Sequence, residues 1–153
     1  MMLVDKEIKE RIEKENLIVN ADLDNLSSIS CDVTIDSIVI ESDKEVGEFV
    51  LSRWEYVYVR TKESLNMPND LCCNVAEKNS LMRKGICVDG PLYQPGHSTD
   101  IFLRIVNIGK SDFLLKKGIK IAQLTFFKLS DIPNVTYDKQ PFSQYVDERK
   151  FIK

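Results

Sequence analysis

The sequence predicts an all-β fold, a barrel or sandwich, entered through one short helix. Three observations carry that expectation. Beyond residue 46 the chain is cut into short β-branched and aromatic runs at 49–60, 71–76, 101–106, 113–115 and 119–127, divided by turn residues such as Gly109, Gly118 and Pro133. Residues 31–36 and 101–106 alternate with a period of two, as half-buried strands do. Little of the chain carries helical spacing.

The helix is expected at the start. Asp5 stands as its N-cap, Ile8 and Ile12 lie one turn apart, and Glu and Lys cover the rest. The pattern ends near Asn16. Residues 17–19 lead into a turn-rich stretch (Asn20, Asp22, Asp24, Asn25, Ser27, Ser28), and 31–40 then alternates Cys31, Val33 and Ile35 against Asp32, Thr34 and Asp36. The segment 134–153 is polar with spaced aromatics (Tyr137, Phe142, Tyr145, Phe151), a tail that either frays or docks on a neighbouring subunit.

A length of 153 residues suits one domain, spanning 1–153. Hydrophobic residues at 43% and charged residues at 29% describe an ordinary globular chain. The apolar runs are too short to span a bilayer, and the N-terminus turns charged at Asp5, so a cytoplasmic protein is expected, with no membrane partner. Cys31, Cys72, Cys73 and Cys87 lack CxxC spacing, and His97 is the sole histidine, so no zinc site is expected. The adjacent Cys72 and Cys73 should face opposite sides of a strand. With a net charge of −3 and no basic block longer than Lys116-Lys117, no DNA or RNA partner is expected.

The chemistry-bearing residues gather between 77 and 107. Lys78, Asn79, Ser80 and Arg83 offer cations and neutral donors within six positions, either a hook for a small polyanion or a solvated turn. Arg104 shares a strand face with Phe102 and Val106. It lies either on a solvent face broken by two apolar residues or among apolar groups beside a partner. His97, in a Pro95-Gly96 loop, reads as a surface residue. Asp89 and Asp100 are carboxylates of the kind that share acid–base work.

Several segments, in order, resemble the dCTP deaminase branch of the dUTPase superfamily. Residues 3–19 look like its opening helix. Thr61-Lys62-Glu63-Ser64-Leu65-Asn66-Met67-Pro68 matches T-x-E-x-hydrophobic-x-hydrophobic-P, and Lys78-Asn79-Ser80-Leu81-Met82-Arg83-Lys84-Gly85 sits where that family has R-S-S-L-A-R-x-G. Pro95-Gly96-His97-Ser98 through Asn107 aligns without gaps to P-G-W-S-G and the strand ending L-E-x-x-N. Gly118-Ile119-Lys120-Ile121-Ala122-Gln123-Leu124 matches G-M-x-I-x-Q-L. The resemblance covers nearly the whole chain.

It implies a dUTPase-like distorted β-barrel, or β-clip, assembled as a homotrimer with sites between subunits. A pyrimidine deoxynucleotide would be the ligand, Mg²⁺ would accompany its triphosphate, and the tail would fold over it. Ser80 and Arg83 keep the family identity. Lys78 replaces an arginine, keeping charge but losing the bidentate fork, and Asn79 replaces a serine. The proton-shuttling glutamate of the deaminases falls on Arg104, which cannot take up a proton. The hydrolytic aspartate of the dUTPases falls on Gln94, and the ring aromatic after P-G on His97. Tyr137 matches the tail tyrosine, while the tail lysine is Gln144 and its glutamine is Glu148. The nucleotide-binding set is therefore Lys78, Asn79, Ser80, Arg83, Gln94, Arg104, Tyr137 and Gln144. Three functions follow as expectations: a dCTP- or dUTP-processing enzyme with altered residues, a degenerate member that senses nucleotide or binds a protein, and a purely structural trimer.

Overall fold

A computed structural model of the chain describes residues 1–41 and 44–141. The helix α1 runs over Asp5–Glu15. Ten strands follow, β1 (Ile18–Val19), β2 (Cys31–Val39), β3 (Glu45–Val46), β4 (Glu48–Leu51), β5 (Tyr56–Asn66), β6 (Leu71–Glu77), β7 (Ile86–Asp89), β8 (Ser98–Asn107), β9 (Phe113–Lys116) and β10 (Lys120–Lys128). A one-turn helix α2 (Asn79–Met82) lies between β6 and β7. The mainly-β expectation holds.

Eight strands form one antiparallel sheet whose order is β6-β10-β2-β5-β8-β7, with β1 on β5 and β3 on β2, while β4 and β9 form a separate ribbon. The sheet curls until its two ends meet. The Glu77 carboxylate at the end of β6 accepts the Val88 N–H of β7 at 3.0 Å. A Cβ on Gly90 would stand 2.5 Å from Val75 Cγ2, so β7 can leave the sheet this close to β6 only without a side chain there. Register shifts between Ile35 and Ser37 on β2 and between Arg60 and Ser64 on β5 bend the strands enough to nearly close the barrel.

Alternation places the core. Val57, Val59 and Leu65 of β5, Ile101, Leu103 and Ile105 of β8, and Leu124 and Phe126 of β10 point inward and are buried. On β2 the alternation expected from Cys31 breaks at the bulge, after which Ile38 and Val39 are both buried. The run 49–60 is two strands rather than one, because the chain turns at 52–55. There Trp54 adopts φ 65° and donates its N–H to Asn107 O at 2.7 Å. Asn107, fully buried, donates from Nδ2 to Leu51 O (2.9 Å) and Ser111 O (3.0 Å), and its Oδ1 accepts the Gly109 N–H (2.9 Å). It ties two turns, 52–55 and 108–112, at one end of the barrel.

Asp5 is the first residue of α1 and not its cap. Val4 precedes the helix in extended conformation, and the Glu7 carboxylate accepts the Val4 N–H at 3.0 Å, leaving Asp5 to take the Lys6 N–H. Ile8 faces the core, and Asn16 closes the helix in the left-handed region at φ 55°. Arg11 fastens the helix to the barrel through Asp70, Nη2 to Oδ2 at 2.5 Å. Cys72 and Cys73 do face opposite ways, and burial pushes the Cys73 thiol well above its usual range. Among the described residues no helix is long and apolar enough to cross a membrane.

Candidate functional site

β6 delivers the chain to Lys78, and α2 turns it so that Leu81 is buried while Ser80 and Arg83 stay in solvent. Asn79 Oδ1 accepts from Arg83 Nε at 3.1 Å, so the guanidinium is steadied by a neutral amide and keeps its charge uncompensated there. Lys78 takes another direction. Its Nζ lies 2.6 Å from Asp32 Oδ2 on β2, with Lys120 Nζ at 4.0 Å from the same oxygen. Asn79, Ser80 and Arg83 thus share one exposed turn, while Lys78 faces the sheet.

A second cluster forms around the turn 94–97. Tyr93 pairs with Cys73 of β6 in both directions at 3.0 Å, which hangs the turn on the barrel wall. Met67 N–H donates to His97 O, and Gly96 N–H to Met67 O. His97 is only 5% exposed, contrary to the surface position expected of it. The cause is a segment forty positions away. Residues Tyr137–Lys139 form a 3₁₀ turn whose Tyr137 N–H donates to Pro95 O at 2.9 Å. The Tyr137 ring covers the imidazole at 4.2 Å between centroids, with Tyr93 on a further side at 6.3 Å. Gly96, at φ 80°, admits this approach, since a Cβ there would stand 2.6 Å from Asp138 Oδ1. Gln94, half-buried, belongs to the same turn. The tail therefore packs on its own chain through Gln140, while Gln144, Glu148 and the rest of 142–153 lie outside the described residues.

Arg104 occupies the outward face of β8, half exposed, and has a partner. Its Nη2 and Nε reach Asp89 Oδ2 on β7 at 3.0 and 3.2 Å, and Tyr58 of β5 lies opposite it in register. Hydrogen bonding to Asp89, then its charge, raises the guanidinium pKa above an already high value. Both readings of the sequence were half right: the face is solvent, and the charge is paired. Asp100 is engaged elsewhere, its carboxylate holding Arg60 Nη1 at 2.6 Å and accepting from Ser64 Oγ at 2.9 Å. Neither aspartate stands ready as a general base.

Two buried carboxylates went unnoticed at the level of sequence. Asp32 is 8% exposed and holds Lys78. Glu63 is fully buried, accepting the Thr34 N–H at 2.9 Å and its hydroxyl at 3.0 Å. The parity of β5 is the signal for Glu63, since it falls in step with Val57, Val59, Thr61 and Leu65. Asp32 has no such signal, because it sits out of step with Cys31 and Val33 and is buried by other strands. Among the described residues no three His, Cys, Asp or Glu side chains converge as a metal site.

A family model described as dCTP deaminase-like matches residues 36–129. The dCTP deaminase of Natronomonas pharaonis is 35% identical over 114 residues, an overlap that covers 72% of this chain and 58% of that protein. The chain thus spans little more than half the length of this curated relative. The crystal structure of 2'-deoxycytidine 5'-triphosphate deaminase from Agrobacterium tumefaciens superimposes with a TM-score of 0.71 at 18% identity, covering 84% of this chain and 47% of that one. A mutant dUTPase from phage phi11 of Staphylococcus aureus, described with a structural Mg(II) ion, superimposes with a TM-score of 0.56 at 11% identity. That match covers 69% of this chain and 80% of the phage protein. The dUTPase-like character of the barrel rests on these likenesses.

Proposed function

The chain belongs to the dCTP deaminase-like family, and on that premise we propose that it binds a pyrimidine deoxynucleoside triphosphate without turning it over by the family's usual proton chemistry. The observation that carries this reading is the state of Arg104. It stands where the resemblance puts the deaminases' proton-shuttling glutamate, and it is a guanidinium bridged to Asp89. Such a group neither takes nor gives a proton at accessible pH. Gln94 is neutral where the dUTPases carry an aspartate, and Asp89 and Asp100 are both committed to arginines.

What remains favours recognition. Arg83, with Ser80 and Asn79 beside it, presents charge and hydrogen-bond donors to phosphate oxygens. Arg104 adds a cation that can meet a phosphate or carboxylate without transferring anything. Tyr137, tilted by 45° against the buried His97, supplies an aromatic wall at the 94–97 turn. No three carboxylate, thiol or imidazole side chains converge among the described residues, so they do not form a cage for Mg²⁺. The ion would arrive on the triphosphate, and no step is routed through it.

Assembly as a homotrimer, with sites between subunits, belongs to the same proposal. Its support is exposed apolar surface: Trp54 and Tyr56 beside the Arg104 face, and the paired Val50 and Leu114 on the β4–β9 ribbon. A nucleotide sensor or regulatory module is the role this combination fits.

The test is to incubate the protein with dCTP and dUTP in Mg²⁺, follow conversion of dCTP to deoxyuridine nucleotides and release of pyrophosphate, and titrate binding in parallel. Binding lost in Arg83→Ala, with neither product formed, is the expected result. Turnover that Arg83→Ala abolishes would sink the binding-only reading.

A further inference from the structure

We propose that Asp32 is a positioning residue of the phosphate hook, an internal anion that keeps Lys78 engaged and thereby lowers the hook's affinity for phosphate. This rests on the reading of Asn79, Ser80 and Arg83 as that hook.

The argument starts from burial. A carboxylate only 8% exposed needs a partner, because removal from water disfavours a charge that nothing compensates. Asp32 has one at 2.6 Å in Lys78 and a second cation, Lys120, at 4.0 Å. The frame around the pair is rigid. Gln123, opposite Asp32 in the β2–β10 register, donates from Nε2 to Glu77 O at 2.9 Å and accepts from Ser30 Oγ at 3.0 Å. The residue before Lys78 is therefore braced to the strand beside Asp32. Swinging Lys78 outward to a ligand would leave the buried carboxylate only the half-exposed Lys120, at 4.0 Å, in place of a partner at 2.6 Å. Lys78 stays, and Arg83 meets the phosphates as the hook's working cation. A ligand then faces a pair of net charge zero where the sequence alone would count a second positive charge.

That arithmetic is testable in the full-length protein with inorganic tripolyphosphate and dCTP as titrants at fixed ionic strength. Asp32→Asn leaves the pair at +1, Lys78→Gln leaves it at −1, and the double variant returns it to zero. We expect Asp32→Asn to bind about three- to tenfold more tightly than wild type and Lys78→Gln to bind more weakly by a similar factor, the scale of one half-buried charge. The double variant should lie near wild type. Asp36→Asn removes an equal charge from the Lys117 pair four positions along β2, roughly 13 Å away and beyond a Debye length of about 8 Å, and should change affinity far less.

Structural damage would weaken binding, so a gain of affinity is not a result that a merely structural Asp32 produces. Should Asp32→Asn alone fail to fold, the step from Lys78→Gln to the double variant carries the same charge change. Wild-type binding that Arg83→Ala removes, with Asp32→Asn unchanged or weaker, overturns the inference and leaves the hook standing. Absence of tripolyphosphate and dCTP binding in both wild type and Asp32→Asn overturns the hook, and the inference with it.

Discussion

The Tyr137 ring lies on the His97 imidazole with centroids 4.2 Å apart and planes tilted by 45°, and the Tyr137 N–H is bonded to Pro95 O at 2.9 Å. One aromatic residue from the C-terminal segment thus seals the turn that carries Gln94. Tyr137→Ala should free residues 136–140 from the barrel, cost about 1–3 kcal/mol of stability, and weaken dCTP binding. Tyr137→Phe should keep most of both. Hydrogen exchange over 93–97 and 136–140, with titration of dCTP, reads the outcome; unchanged exchange in Tyr137→Ala would refute the seal.

Restoring acids should restore chemistry if the pocket is otherwise intact. Arg104→Glu with Gln94→Asp is expected to form dUTP or dUMP, with ammonia, from dCTP where wild type forms none. The size of a missing general acid–base is on the order of 10²–10⁴ in rate. Asp89→Asn belongs in the same variant, because a new glutamate beside Asp89 would meet a like charge and hold a proton too tightly. Deoxyuridine nucleotides separated from dCTP by chromatography decide it.

Asn107 is a stability prediction independent of any ligand. Asn107→Leu removes three hydrogen bonds and leaves Leu51 O, Ser111 O and the Gly109 N–H without that partner inside the barrel end. A loss of about 2–4 kcal/mol in urea unfolding is expected. Trp54, whose N–H is bonded to Asn107 O, should report the change by fluorescence.

The Arg11 guanidinium, chiefly through its hydrogen bond, holds the Asp70 carboxyl below the usual carboxylate range. A depressed pKa in the folded state stabilises the protein above the unfolded value of about 3.9, and that contribution disappears as pH falls through the folded value. Asp70→Asn should therefore be less stable than wild type at neutral pH, by about 1 kcal/mol or less for so accessible a pair. The gap should close on acidification. A gap that persists at about pH 2 would mean that packing rather than charge separates the two proteins.

Much of the barrel was legible because a strand writes its faces into a period of two. Val57, Val59 and Leu65, or Ile101, Leu103 and Ile105, announce which side is core without any knowledge of neighbours. The same parity put Arg104 on one face with Phe102 and Val106 and left open whether that face was solvent, and the order of motifs named the family. Parity assigns a face and is silent about what stands across it. Asp89 reaches Arg104 because β7 joins β8 in a particular register, and that register depends on where the chain turns. Asp32 and Lys78, 46 positions apart, meet because β10 carries β2 to the end of β6. His97 is buried by a tyrosine forty positions downstream. The sequence by itself determined the all-β scaffold, the family and the replacement of both expected acids. Only the tertiary structure decided which charges are paired, because the partner of a side chain depends on strand order and register, which no local pattern encodes.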